Sequence, residues 1–141
     1  AGETNVEAGE LDESGYARLA ERLRDLYDFQ AVAITLRESH SASDNGWSAM
    51  LLGGAGKAAP LASAVRSRQY DVRLVDRVGG GDSFAAGLIH GLVTKSDAEA
   101  ALNFAVAASA LKQTIPGDLN LTSAVEVEKL ATGSGSGRVE R

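Results

Sequence analysis

The sequence predicts an α/β domain on three observations. A helical stripe, Tyr16, Leu19, Ala20, Leu23 and Leu26, is followed closely by a continuously apolar, partly β-branched run from Ala31 to Leu36. Tyr70, Val72 and Leu74 then alternate with Asp71 and Arg73, enter three consecutive glycines, and give way to helical periodicity from Ser83. A helix leading into a buried strand is half of an α/β repeat, and a strand delivered through glycines into a helix is the same unit in reverse order. Third, 141 residues are enough for one core that buries roughly 70% of the unfolded surface, with the apolar and charged content of a globular protein.

Taken in order, residues 1–11 are polar and acidic and read as an entering loop; the chain starts at Ala1 without Met, as a processed, excised or trimmed chain would. Asp12 to Tyr27 is a packing helix, with Arg18, Glu21, Arg22 and Arg24 opposite its apolar stripe. Ala31 to Leu36 has the pattern of a parallel strand covered on both faces. Thr35 to Trp47 reads as a polar loop at that strand's C-terminal end, the edge where open α/β sheets place ligands. Ser48–Leu52 and Lys57–Leu61 read as two strands joined through Gly53-Gly54-Ala55-Gly56, with Ala62 to Arg68 a basic connector. The run Gly53 to Lys57 fails as a phosphate loop, because Ala58 replaces the hydroxyl residue and the spacing is too short.

Beyond the glycines, Ala85, Ala86 and Gly87 are small enough for close approach to the sheet, while Phe84, Leu88 and Leu92 supply core contacts. Ser96 with Glu99 reads as a capping box opening an alanine-rich buried helix, Asp97 to Lys112. Thr114-Ile115-Pro116-Gly117-Asp118 is a Pro-Gly turn. Thr122 or Ser123 caps a last helix to about Leu130, with Ser123 and Glu126 forming another capping box, and residues 132–141, alternating glycine and serine, read as a flexible tail after a domain over residues 1–131.

Several function classes are excluded. A net charge of −5 with no basic patch argues against nucleic acid as a partner. Absence of cysteine removes disulfides and thiolate metal sites and fits the cytoplasm. No apolar run reaches the ~20 residues of a membrane span. Two histidines suggest no metal cluster, so no metal ligands are assigned.

The chemistry concentrates in Asp76-Arg77-Val78-Gly79-Gly80-Gly81-Asp82. Three glycines let backbone N–H groups converge on one point, and at a helix start those groups are unpaired at the positive end of the dipole. Such a place suits a phosphate. Asp82 beside it has two readings on local physics: a helix cap or first-turn acid, or a general base that takes a proton from an attacking hydroxyl while the amides stabilise a phosphoryl group.

This run, with Phe84 and Gly87 following, resembles the Asp-Thr-x-Gly-Ala-Gly-Asp signature of the ribokinase-like (PfkB) carbohydrate kinases. Arg77 stands where the family usually has Thr, and Gly80 where it has Ala. Together with the wording of residues 31–39 and 104–109, the chain is most similar to the C-terminal part of 2-keto-3-deoxygluconate kinases. The resemblance implies a three-layer α/β/α ribokinase-like sheet, C-terminal half only. It further implies ATP and Mg2+ as cofactors and a sugar acid as acceptor. It makes Gly79, Gly80 and Gly81 the anion hole and Asp82 the catalytic base, with nucleotide contacts at Thr35, Arg37, Ser39, Asp76, Val106 and Gly117. The family's Asn-x-x-Glu metal motif and its sugar pocket are missing, since Asn5-Val6-Glu7 lacks the spacing. The resemblance therefore implies that the chain needs its N-terminal half, or a homo-oligomer partner, for turnover. A non-catalytic module that keeps the fold and associates with that half is the competing expectation.

Overall fold

A computed structural model describes residues 12–54, 56, 58, 60–133 and 138–139. The element order is α1 (Glu13–Tyr27), β1 (Ala31–Ser39), β2 (Asp44–Gly53), β3 (Leu61–Arg66), β4 (Tyr70–Arg73), α2 (Gly80–Thr94), α3 (Ala98–Lys112), α4 (Ala124–Thr132) and β5 (Arg138–Val139). The expected α/β architecture is borne out, with helices on both faces of a five-stranded sheet.

The sheet runs β1-β2-β4-β5, with β3 also pairing β2. Its pairings are antiparallel except β4 with β5. This corrects the parallel strand expected at Ala31. A continuous apolar run reports coverage on both faces, and β1 and β2 have that coverage within an antiparallel hairpin. In their register Val32 faces Leu52 and Ala33 faces Leu51. Residues directly opposite share a face. Val32 and Leu52 pack with Ala20 and Leu23 of α1. Ala49, Leu51, Tyr70 and Val72 pack on the other side against the core built on α3.

Further boundaries differ from expectation. β1 continues to Ser39 and turns through residues 40–43, so Thr35, Arg37 and Ser39 are strand residues and not loop residues. The polar character of 35–39 marks solvent exposure rather than a turn. The strand after the glycines at 53–56 is Leu61–Arg66, where a connector was expected. Asp97, not Ser96, caps α3, its carboxylate accepting from the Glu99 amide at 3.0 Å. The capping box at Ser123 and Glu126 is present. Of the tail, Arg138–Val139 pairs with Asp71 and Val72, while residues 134–137, 140 and 141, like the entering loop at 1–11, lie outside the described residues.

α2 packs on α3 rather than on the sheet, and glycine makes the contact. A Cβ at Gly87 would sit 3.0 Å from Ala105 Cα, and one at Gly91 2.8 Å from Ala101 Cα. Ala85 and Ala86, expected to face the sheet, are exposed. α3 is buried along nearly its whole length, as its alanine content predicts. Its C-terminal end meets the glycine loop. Among the described residues no helix is long and apolar enough to cross a membrane.

Candidate active site

The segment after β4 is tied down at each step. Leu74 N donates to the Ser43 carbonyl at 2.7 Å, and the amides of Val75 and Asp76 share the carbonyl of Gln113, the C-cap of α3, at 2.9 and 3.2 Å. Arg77 Nη2 reaches the Ala42 carbonyl at 3.1 Å, so the β1–β2 turn lies against the loop. The Asp76 carboxylate accepts from the Val78 amide at 3.0 Å and from the Gly117 amide at 2.9 Å. It thus joins the glycine loop to the 114–118 turn. The Val78 amide first, then the Gly117 amide, and then the Lys112 charge hold its pKa below the ordinary value of 3.8. Asp76, expected at the nucleotide, has both oxygens committed to backbone.

Gly79 is the N-cap of α2 in the left-handed conformation, φ 79°, and offers no side-chain cap. A Cβ there would meet the Asp118 carbonyl at 2.3 Å, so both conformation and space require glycine. Gly80 is buried against Gln113; its amide closes a turn onto the Arg77 carbonyl at 3.2 Å, and its carbonyl accepts from Ser109 Oγ at 2.8 Å. This corrects the expectation that all three glycines offer free amides. Among the described residues, the N–H groups of Gly79, Gly81 and Asp82 have no protein acceptor. A Cβ at Gly81 would meet nothing within 4 Å, so the backbone there is not crowded on that side.

Asp82 lies in the first turn of α2 and is exposed, and no hydrogen bond or ion pair engages its carboxylate among the described residues. It is not the helix cap. The arrangement is an uncapped helix N-terminus with three available amides beside a free carboxylate, which can hold a phosphoryl group and accept a proton in one place.

The remaining expected contacts divide. Thr35, Arg37 and Ser39 are exposed on β1 opposite Ala49, Trp47 and Asn45, on the sheet face that carries α3. Gly117, φ 83°, is spent on Asp76 through its amide and has open space above it. Val106 is wholly buried in the core of α3 and is corrected to a packing residue. Ser109, Lys112 and Gln113, which support the loop from below, were not expected at the site. A serine, a lysine and a glutamine clustered at the end of an alanine-rich helix are the signal that could have found them.

Among the described residues no group of three or more His, Cys, Asp or Glu could hold a metal ion. A cleft of about 440 Å³ lies beside Lys95, Asp97 and Glu128 at the opposite end of α3 and includes no residue of the glycine loop. The Lys95–Glu128 ion pair, 2.8 Å, crosses it.

Known proteins resemble the chain in sequence and fold. Residues 63–123 match the sequence family described as pfkB family carbohydrate kinase. The crystal structure of 2-dehydro-3-deoxygluconokinase from Thermotoga maritima superposes with a TM-score of 0.78 at 44% identity, over 86% of this chain and 35% of that one. A PfkB family carbohydrate kinase from Listeria grayi superposes with a TM-score of 0.71 at 25% identity, over 93% of this chain and 39% of that one. The 2-dehydro-3-deoxygalactonokinase of Haloferax volcanii is 29% identical over 119 residues, 84% of this chain and 33% of the relative. The chain thus spans about a third of the length of the relatives it matches. The expected resemblance to ribokinase-like kinases in sequence and fold is borne out.

Proposed function

Taking as its premise the match of residues 63–123 to the pfkB family of carbohydrate kinases, we propose that this chain is the nucleotide-phosphate and catalytic-base portion of an ATP-dependent sugar kinase. The observation that carries the reading is the uncapped start of α2, where the free amides of Gly79, Gly81 and Asp82 stand beside the unengaged Asp82 carboxylate. The acceptor is 2-keto-3-deoxygluconate or a related sugar acid, supported by the kinases of Thermotoga maritima and Haloferax volcanii that the chain resembles.

ATP supplies the phosphoryl group. The amides of Gly79, Gly81 and Asp82 receive its charge, and Gly80 fixes the loop that aims them. Asp82 accepts the proton of the acceptor hydroxyl as that oxygen bonds to phosphorus and the bond to the departing diphosphate breaks. Thr35, Arg37 and Ser39 line the exposed sheet face on the same side and serve the rest of the nucleotide. The described residues do not fit a magnesium cage, so a magnesium ion arriving with the nucleotide would be held chiefly by phosphate oxygens and water. The cytoplasm is the proposed location, on the absence of cysteine.

The chain alone should bind nucleotide weakly and turn over little, because it spans only about a third of the length of the kinases it resembles. An unpaired outer edge on β1 among the described residues favours association with that part. The test is Asp82→Asn in the full-length or reconstituted enzyme. Turnover should fall by about 10²–10⁴ with nucleotide affinity little changed; an unchanged rate would leave only the non-catalytic module.

A further inference from the structure

Among the described residues, Lys112 is the largest side chain wholly withdrawn from solvent. It ends α3, and among the described residues its Nζ has one acceptor, the Ile115 carbonyl at a long 3.4 Å, and no carboxylate at ion-pair distance. An ammonium removed from water and given one weak acceptor is costly, so its presence at the end of an apolar helix needs a cause beyond packing.

Its surroundings supply one. A Cβ placed on Gly79 would be 3.1 Å from Lys112 Cε and 2.3 Å from the Asp118 carbonyl oxygen. The lysine stem, the N-cap of α2 and the 115–118 turn therefore meet at one point. From the solvent side the Asp76 carboxylate joins the same two segments, through the amides of Val78 and Gly117. The carboxylate ties the loop to the turn through backbone amides, the lysine stem packs under Gly79 while its ammonium holds the Ile115 carbonyl, and the negative end of α3 favours the cation where it stands.

We propose that Lys112 is a positioning residue: its buried ammonium clamps the Gly79 loop to the 115–118 turn and holds a fixed positive charge beneath the amides where a phosphate binds. Lys112 touches no ligand; it acts through Gly79 and through the local field, which is weakly screened because water is excluded. The phosphate arm rests on the site reading above, whereas the clamp does not.

The test compares the whole chain with its Lys112→Met variant, which keeps an unbranched apolar stem out to Cε and removes the charged Nζ. In the ligand-free protein the variant should shift the amide resonances of Gly79, Gly81 and Gly117 and raise the pH at which the Asp76 carboxyl titrates. Calorimetry with inorganic tripolyphosphate should show an affinity lower by about tenfold or more. Wild-type amide positions and a wild-type Asp76 titration overturn the clamp. If wild-type protein binds no tripolyphosphate, the phosphate-site reading falls while the ligand-free measurements still decide the clamp. If the variant does not fold, the Lys112 ammonium resonance of wild-type protein decides: a protonated, slowly exchanging group at neutral pH supports the proposal, and a neutral or freely exchanging amine overturns it.

Discussion

Single residues in the glycine loop separate conformation from chemistry. Gly79→Ala meets both the positive φ and the Asp118 carbonyl, so it should cost about 1–3 kcal/mol in urea unfolding. Gly81→Ala meets neither, and should leave stability level or raise it by up to about 1 kcal/mol while weakening ATP binding in calorimetry. Asp76 carries a pH dependence. Its folded pKa is depressed, so its ionised form contributes stability that is present above the unfolded value near 3.8 and lost as pH falls through the lower folded value. Thermal melts of Asp76→Asn should therefore show lower stability at neutral pH and a shallower acid limb than wild type. The start of α2 at the glycines was legible in the sequence because a strand running through three glycines into helical periodicity is a local pattern. Lys112 and Ser109 were not, because their role depends on which loops fold back over the end of α3.

At the scale of elements, the helices were legible and the strand pairing was not. Capping acids and apolar stripes are local signals, and α1, α3 and α4 begin where Asp12, Asp97 and Ser123 accept from backbone amides. The β1–β2 hairpin is set by contacts across the sheet, with the same apolar run serving a parallel or an antiparallel partner. Part of the α1 stripe is uncovered too: Leu26 is 73% exposed. α2 and α3 are held at close range by glycine against alanine, so Gly91→Val should force them apart. A loss of about 1–3 kcal/mol in chemical unfolding, with α3 still helical by circular dichroism, is the expected result.

At the scale of the molecule, the described residues leave a strand edge and apolar side chains uncovered. The outer edge of β1 is unpaired among the described residues, and Ile89 and Val93 of α2 are exposed. Co-expression with the remainder of a full-length relative should give a stable complex in sedimentation, and two independently sedimenting species would argue against the split-enzyme reading. More narrowly, the proposed function requires a nucleotide's terminal phosphate to rest on the start of α2. Titrating the 15N-labelled chain with ATP tests it most directly. The largest amide shifts should fall on Gly79, Gly81 and Asp82, with Val106 unmoved; shifts that spare those three amides while saturating elsewhere would rule the phosphate site out.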